Sequence, residues 1–545
     1  HCLSKKSVVV KELISIEDLG NMDVLCTDKT GTLTEGKINL VDSLNMRGHT
    51  DEYILKMALL CNTASHHHRL VGNPMDVAIW QQALDRKIGL PGGYKKIAER
   101  EFSFDHRGQF TVVEHDSERL YLFKGAADSV LDRCLTYRDA TGQLVPLTNH
   151  RKKIREQLQE LNRQGLRLIV VAQKDIEAQE KYGFEDAQGL ELLGYLTFLD
   201  VPKHSAKHAI DTLNSLAVQV KIVTGDNELV TRKICETIGF EITGVLTGPA
   251  IARMSQYELE REVTDVNIFA RVSPEQKQQI IRALKKAGKT VGYMGDGIND
   301  AAALHLADVS ISVNTAVDVA KDVASIVLLR KGLDVIADGV REGRRIFANT
   351  IKYILMGTSS NFGNMFSVAG ASFFLPFLPM TPSQILLNNS LYDTSQLGIP
   401  SDEVDPEVLE RPNRWDIRYI YRYMLYFGPI SSVFDYASFG LLWFVFGARN
   451  EAFQTGWFLE SIATQVLVVF VIRTGRVFWQ SRPGRLLMMM CGAVLAIAFL
   501  LPWTPIAVYL HLVALPPMFF LALLSLVAAY LLIVEFVKRR FLSRI

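Results

Sequence analysis

Paired cysteines are what this 545-residue chain most plainly lacks. Its six cysteines (Cys2, Cys26, Cys61, Cys134, Cys235 and Cys491) lie far apart, with no CxxC spacing. That excludes a disulfide framework or a cysteine zinc site and fits a reducing cytoplasm. An excess of charge of one sign is missing too. Lys+Arg 59 against Asp+Glu 58 leave a net +1, so no global basic surface points to nucleic acid. With 37 Gly and 18 Pro the chain is neither collagen-like nor a linker, and 48% hydrophobic content excludes disorder. The segment from His1 to Lys11 is polar and has no apolar run, so no signal peptide is read there. The first residue is not Met, and a piece of a longer protein is expected. No internal repeat or low-complexity tract is apparent.

What is present is uneven. The last 200 residues, from Ile346, hold 14 Lys/Arg and 11 Asp/Glu, whereas the first 345 hold 92 charged residues. The step predicts a soluble part followed by a membrane part. Apolar stretches of spanning length, about 17–25 residues, are read at Tyr353–Phe374, Pro379–Ile399, Met424–Phe446, Trp457–Ile472, Leu486–Leu501 and Met518–Val537. Arg411, Arg414, Arg418 and Arg422 follow the second stretch, and Arg473, Arg476, Arg482 and Arg485 the fourth. Lys538, Arg539, Arg540 and Arg544 follow the sixth, while the alternate loops hold only Arg449. The positive-inside rule then predicts six spans with residues 1–345 and the C-terminus cytoplasmic.

Polar residues inside spans are costly and point to function. Asn361 and Asn364 share one helical face of the first span, and Asn389 and Asp393 share one of the second. Gly398 and Pro400 allow local unwinding that frees carbonyl oxygens. These groups predict a mid-membrane ion site made of amide oxygens and one carboxylate. Asp435 and Glu460 are isolated in the third and fourth spans and are read as structural pairing.

In the soluble part, Met22–Thr27 reads as a buried strand running into Asp28-Lys29-Thr30-Gly31-Thr32-Leu33-Thr34. Val218–Val223 ends in Thr224-Gly225-Asp226, and Thr290–Met294 ends in Gly295-Asp296-Gly297-Ile298-Asn299-Asp300. Carboxylates at the C-terminal ends of parallel strands face the crevice where doubly wound folds bind ligands. An Asp there can form an aspartyl-phosphate. Nearby carboxylates bind Mg²⁺, hydroxyls hold phosphate oxygens, and Lys277 neutralises developing charge.

These motifs resemble the signature of the P-type ATPases. The resemblance implies an α/β phosphorylation domain of haloacid-dehalogenase type (residues 1–40 and 191–335). An α+β nucleotide-binding domain (41–190) would be inserted in it, and an all-α transmembrane bundle of six helices (336–545) would follow. Phe102 in Glu101-Phe102-Ser103-Phe104 is similar to the ring that stacks adenine there. Lys124 and Gly125 in Lys124-Gly125-Ala126 resemble the lining of the nucleotide pocket. Arg167 and the hinge residue Asp200 resemble further nucleotide-contacting positions. By that resemblance Asp28 is the nucleophile toward the γ-phosphate of ATP, and Asp28, the Thr30 carbonyl, Asp296 and Asp300 hold the catalytic Mg²⁺. Lys29, Thr224, Gly225, Asp226, Lys277 and Asn299 complete the site, and Asn361, Asn364, Asn389 and Asp393 hold the transported ion.

The membrane motifs look most like the bacterial magnesium-transporting class, which implies ATP-driven Mg²⁺ import by a multi-pass protein of the bacterial inner membrane, in contact with lipid. An amide-rich site suits Mg²⁺, which dehydrates reluctantly. Val201 and Ala302 replace prolines usual in the family. No Thr-Gly-Glu occurs in the chain, so an actuator domain and four further spans are expected to be supplied in cis or in trans. Alternative readings are a pump for another divalent cation such as Ca²⁺, or a membrane-anchored phosphatase of the same fold. Such phosphatases carry an Asp two residues after the nucleophile, where this chain has Thr30. His66-His67-His68 reads as a solvated loop rather than a metal site. Asn73-Pro74-Met75-Asp76 reads as a turn, with no firm role for Asp76.

Overall fold

The computed structural model describes residues 7–29, 32–66, 70–103, 105–139, 142–203, 205–330 and 332–542. Thr30 and Gly31, and His67 and His68, lie outside the described residues.

One sheet of eight strands runs in the order Val8–Val10, Ile326–Leu328, Val309–Val313, Val291–Met294, Val24–Thr27, Gln219–Val223, Ile268–Ala270, Val245–Thr247. All its pairings are parallel except the first. Strands covered on both faces read as continuous apolar runs, and every residue of Val24–Thr27 and of Val291–Met294 is buried. Val24–Thr27 lies between a strand from residues 219–223 and one from 291–294. The ends carrying Asp28, Thr224 and Asp296 are therefore immediate neighbours.

A second, mostly antiparallel sheet contains Thr34–Asn45, Lys95–Ser103, Gly108–His115, Glu118–Gly125, Cys134–Arg138, Leu144–Pro146, Arg167–Asp175 and Leu190–Pro202. Separate apolar clusters cover its two faces. Thr34–Asn45 pairs with Leu190–Pro202 from Asn45 opposite Gly194 to Thr34 opposite Pro202. Both strands run through the boundaries expected at 40/41 and 190/191. Composition cannot see such boundaries, because paired strands share the same alternation on either side of them.

The charge step at residue 346 likewise falls inside one helix. Leu333–Ala371 is a single helix of 39 residues, about 58 Å at 1.5 Å per residue, roughly twice a ~30 Å hydrocarbon core. Its buried Arg344 donates to the carbonyls of Gly20 (2.8 Å), Leu409 (2.8 Å) and Leu216 (2.7 Å). Gly343 and Gly20 touch backbone to backbone there, since a Cβ on Gly343 would meet Ile16 O at 2.6 Å. The first sheet is thus fixed to the root of the first predicted span.

Five further helices of 15 residues or more follow: Pro382–Gln396, Ile417–Gly440, Asn450–Ile472, Arg485–Leu500 and Pro517–Leu542. Among the described residues, only three helices are long and apolar enough to cross a membrane: Asn450–Ile472, Arg485–Trp503 and Pro517–Leu542. The other three of the six expected spans fall short for physical reasons. Leu333–Ala371 is charged at its start and rich in Ser and Asn further on. Pro382–Gln396 has 15 residues, about 22 Å of helix. Ile417–Gly440 carries Arg418, Arg422 and Asp435. Asn450–Ile472 is the central helix, with 83% of its apolar window buried against 28% for each of the other two.

Candidate functional site

Three strand ends and one helix start build the crevice. Asp28 leaves the end of Val24–Thr27, and its carboxylate accepts from the Lys29 N–H at 2.6 Å and from Lys277 Nζ at 3.2 Å. Lys277 sits in the first turn of Pro274–Lys286, a helix started by a Ser273–Gln276 capping box with Pro274 behind it. The same ammonium donates to Asp300 Oδ1 at 2.8 Å, and the Tyr293 hydroxyl donates to that oxygen at 2.7 Å. A Cβ on Gly295 would lie 2.5 Å from Asp300 Cβ, so only glycine lets the chain pass there. Burial opposes ionisation of Asp28, but Lys277, the Thr224 hydroxyl and the Lys29 N–H together hold its carboxyl below the usual range. For Lys277 burial works against the charge, and the Asp28 and Asp300 carboxylates outweigh it and raise the ammonium. The Asp28 side chain keeps 25% exposure against 5% for Asp300, so it is the reachable carboxylate of the two. Thr224 is buried and its oxygen accepts from the Asp226 N–H at 3.2 Å. Gly225 and Asn299 are exposed at the same end, with Asp296 half-buried.

A second ionic group adjoins the first. Lys29, fully buried, pairs with Asp226 Oδ2 at 2.6 Å and with Asp200. Arg167 pairs with Asp226 and lies 3.9 Å from Asp200 Oδ2. Lys29 and Asp226 follow the ends of two strands of the first sheet, and Arg167 and Asp200 lie on strands of the second. Residues that the sequence divided between catalysis and nucleotide binding therefore form one cluster of two cations and two carboxylates. Burial and then the neighbouring Arg167 push the Lys29 ammonium below its ordinary value.

On the second sheet Lys124 is buried with its Nζ 2.5 Å from Asp76 Oδ1. Asp76 also accepts from the Thr63 N–H and hydroxyl, each at 3.0 Å. Gly125 lies against the Arg107 carbonyl, 2.5 Å from where a Cβ would sit. Phe102, 42% exposed, is on the edge strand Lys95–Ser103, separated from the Lys124 strand by Gly108–His115. Asp76 is the residue sequence reasoning passed over. Its signal was Asn73-Pro74-Met75-Asp76, in which Asn73 caps the helix and places Asp76 in its first turn. Burial raises the Asp76 carboxyl, while Lys124 and the Thr63 donors bring it below the ordinary value. A depressed pKa stabilises above the unfolded value, about 3.9, and that stability is lost as pH falls through the folded value. Asp76→Ala leaves the Lys124 charge buried and unpaired, so it should cost about 3–5 kcal/mol and remove this acid limb, as read by thermal unfolding between acidic and neutral pH.

In the membrane part, Asn361, Asn364 and Asn389 line one open cavity of about 610 Å³, together with Asn388, Trp457 and Ser461. Asp393 is exposed one helical turn beyond Asn389 and is not among the lining residues. Asn364 accepts from Gln465 Nε2 at 3.5 Å, and Gln465 accepts from the Ser360 hydroxyl at 3.0 Å. Asn388 donates to Ser461 at 3.2 Å. Ser461 and Gln465 were missed because their span was read for Glu460 alone.

A family model for the P-type ATPase cytoplasmic domain N matches residues 51–205, and one for the C-terminus of cation-transporting ATPases matches residues 377–540. The chain is 44% identical to magnesium-transporting ATPase, P-type 1, of Escherichia coli K12, over 98% of this chain and 60% of that protein. A Salmonella typhimurium (strain 14028s) protein of the same name is 43% identical over the same shares. Calcium-transporting ATPase 1 of Bacillus cereus is 29% identical over 83% of this chain and 53% of that protein. The chain spans about 60% of the length of the magnesium-transporting relatives. Carrying both P-type domains, and similar to these proteins along nearly its whole length, the chain belongs to the P-type ATPases.

Proposed function

We propose that this chain is the catalytic and ion-conducting part of an ATP-driven Mg²⁺ transporter of a bacterial inner membrane, acting through an aspartyl-phosphate. The observation that carries the reading is the Lys277 ammonium held between Asp28 and Asp300, with the Thr224 hydroxyl beside the reachable carboxylate. The first sheet, of haloacid-dehalogenase type, is the phosphorylation domain. The nucleotide-binding domain is better bounded at about residues 34–202, where the paired strands of the second sheet begin and end. The six helices from Leu333 form the membrane domain, with the large domains cytoplasmic.

An Asp28 oxygen attacks the γ-phosphorus in line while the bond to the ADP oxygen breaks, and the phosphoryl group ends on Asp28. Lys277 and Thr224 take up charge on the phosphoryl oxygens. The residues present fit a catalytic Mg²⁺, which would neutralise phosphate charge when bound. Asp28 and Asp296 would hold it, whereas Asp300 is engaged by Lys277 and Tyr293 and anchors the lysine. Arg167 and Asp200, tied to Lys29 and Asp226, would bring the nucleotide's phosphates to Asp28, with Phe102 and Lys124 at its base. Thr30 in place of an acid disfavours the phosphatase reading, since quick hydrolysis of the aspartyl-phosphate would lack a general acid/base.

Asn361, Asn364 and Asn389 give neutral oxygens to the cavity, and Asp393, one helical turn beyond Asn389 and outside the cavity lining, gives the charge. In the full-length protein, Mg²⁺ should stimulate ATP hydrolysis, and that hydrolysis should drive Mg²⁺ uptake into vesicles, whereas Ca²⁺ should neither stimulate nor be taken up. Asp393→Asn should raise the Mg²⁺ needed for half-stimulation at least about tenfold, because a unit charge outweighs a dipole in a low-dielectric site. An unchanged Mg²⁺ dependence in that variant would place the ion path elsewhere.

A further inference from the structure

Two acids meet inside the helix bundle, away from the residues assigned to the transported ion. Asp435 on Ile417–Gly440 and Glu460 on Asn450–Ile472 are 2% and 1% exposed. Asp435 accepts from the Ser367 hydroxyl at 2.5 Å and from the Trp457 indole N–H at 2.8 Å. The Glu460 carboxyl lies within hydrogen-bonding reach of that of Asp435, and among the described residues no N–H or hydroxyl donates to either of its oxygens. The groups around the pair are Ser367 on Leu333–Ala371, Tyr436 next to Asp435, Trp457 on the Glu460 helix, and buried Tyr530 on Pro517–Leu542. Among the described residues, no Lys, Arg or His acts on either carboxyl.

Two ionised carboxylates cannot sit together in such a place. A poorly screening interior leaves their mutual repulsion strong, and each ion also loses its hydration on burial. A cation must be shared between them. The described residues hold no cluster of three or more metal-ligating acids, histidines or cysteines. The unpartnered oxygens of Glu460 need a hydrogen-bond donor, which a proton on either carboxyl provides at once.

We propose that Asp435 and Glu460 form a proton-binding site inside the bundle, separate from the amide-lined cavity, where one proton is shared between the two carboxyls. The site touches that cavity through Trp457, whose N–H holds Asp435 while the residue lines the cavity wall. Ser461, next to Glu460 in the chain, lines it as well. Singly protonated, the pair places one negative charge behind that wall; doubly protonated, it places none. If the cavity is the Mg²⁺ path, as proposed above, proton loading of the pair weakens the cavity's hold on a cation.

The test uses infrared difference spectra of the full-length protein in lipid nanodiscs, titrated with acid in H₂O and in D₂O. A carboxylic C=O band that shifts in D₂O is expected in the parent protein, and Glu460→Gln, isosteric with the acid, should remove it. Asp435→Asn should remove or displace the same band, so the result does not hang on one variant's folding. A band unchanged in both variants, or one abolished by Na⁺ or K⁺ at constant pH, would overturn the proton site. Mg²⁺ affinity of the parent should fall several-fold from pH 8 to pH 6, and Glu460→Gln should flatten that dependence. Flattening with no loss of the band would also count against it. The infrared result stands whether or not the cavity conducts Mg²⁺.

Discussion

Asp28→Asn should abolish phosphoenzyme formation completely. Incubated with labelled MgATP, the full-length protein should acquire acid-stable, hydroxylamine-labile phosphate, and the variant should acquire none. The neutral amide cannot attack phosphorus, because it has no anionic oxygen to form the acyl-phosphate bond. The rest of the crevice should survive the change. The amide oxygen still accepts from the Lys29 N–H, and Lys277 keeps its bond to Asp300 at 2.8 Å. Nucleotide binding and thermal stability should therefore stay near those of the parent. Labelling of the Asn variant at the parent level would remove Asp28 from the role of nucleophile.

Lys277→Met should damage both chemistry and stability, for one reason. It deletes the cation between two carboxylates, leaving Asp28 and Asp300 facing each other in a crevice where Asp300 is 5% exposed. Removing one partner from buried ion pairs costs about 3–5 kcal/mol. Losing a preorganised donor at a developing charge costs about 10²–10³ in rate. The pH profile adds a sign that can be checked. Burial raises the Asp28 carboxyl, and Lys277 heads the influences that bring it below its ordinary value. Without the lysine, Asp28 should stay protonated to higher pH, so the acid limb of phosphorylation should move upward. Thermal unfolding and single-turnover labelling across pH would measure the two effects. A variant as stable and as fast as the parent would show that the ammonium neutralises nothing that matters.

Much of the crevice was legible from the residues in order, because its chemistry is local. An apolar run such as Val24–Thr27 has to be a buried strand, and a carboxylate just beyond it has to sit at the strand's end. Lys277 could be found the same way, since Ser273, Pro274 and Gln276 announce the helix start that presents it. The ionic cluster of Lys29, Asp200, Asp226 and Arg167 was not legible. Its members come from both sheets and are separated by up to 197 positions in the sequence, so their meeting depends on how Leu190–Pro202 and Arg167–Asp175 pass the first sheet. Asp76 was hidden for a similar reason, because Lys124 reaches it only once a helix has packed on the sheet.

The membrane half shows the same division. Composition and arginine placement were enough to separate a charged part from an apolar one and to pick out Asn361, Asn364 and Asn389 as polar groups in apolar surroundings. These are properties of residue type and helical spacing, which survive any packing. Packing alone decided that the three asparagines line one cavity while Asp393 stays on an exposed face. It also decided that Asn450–Ile472 is the central helix, bringing Ser461 to that cavity, Gln465 to Asn364 and Glu460 to Asp435. A side chain's chemistry is written in its own residue. Its partner is set by helices and strands meeting from distant parts of the chain, and local sequence does not encode those meetings.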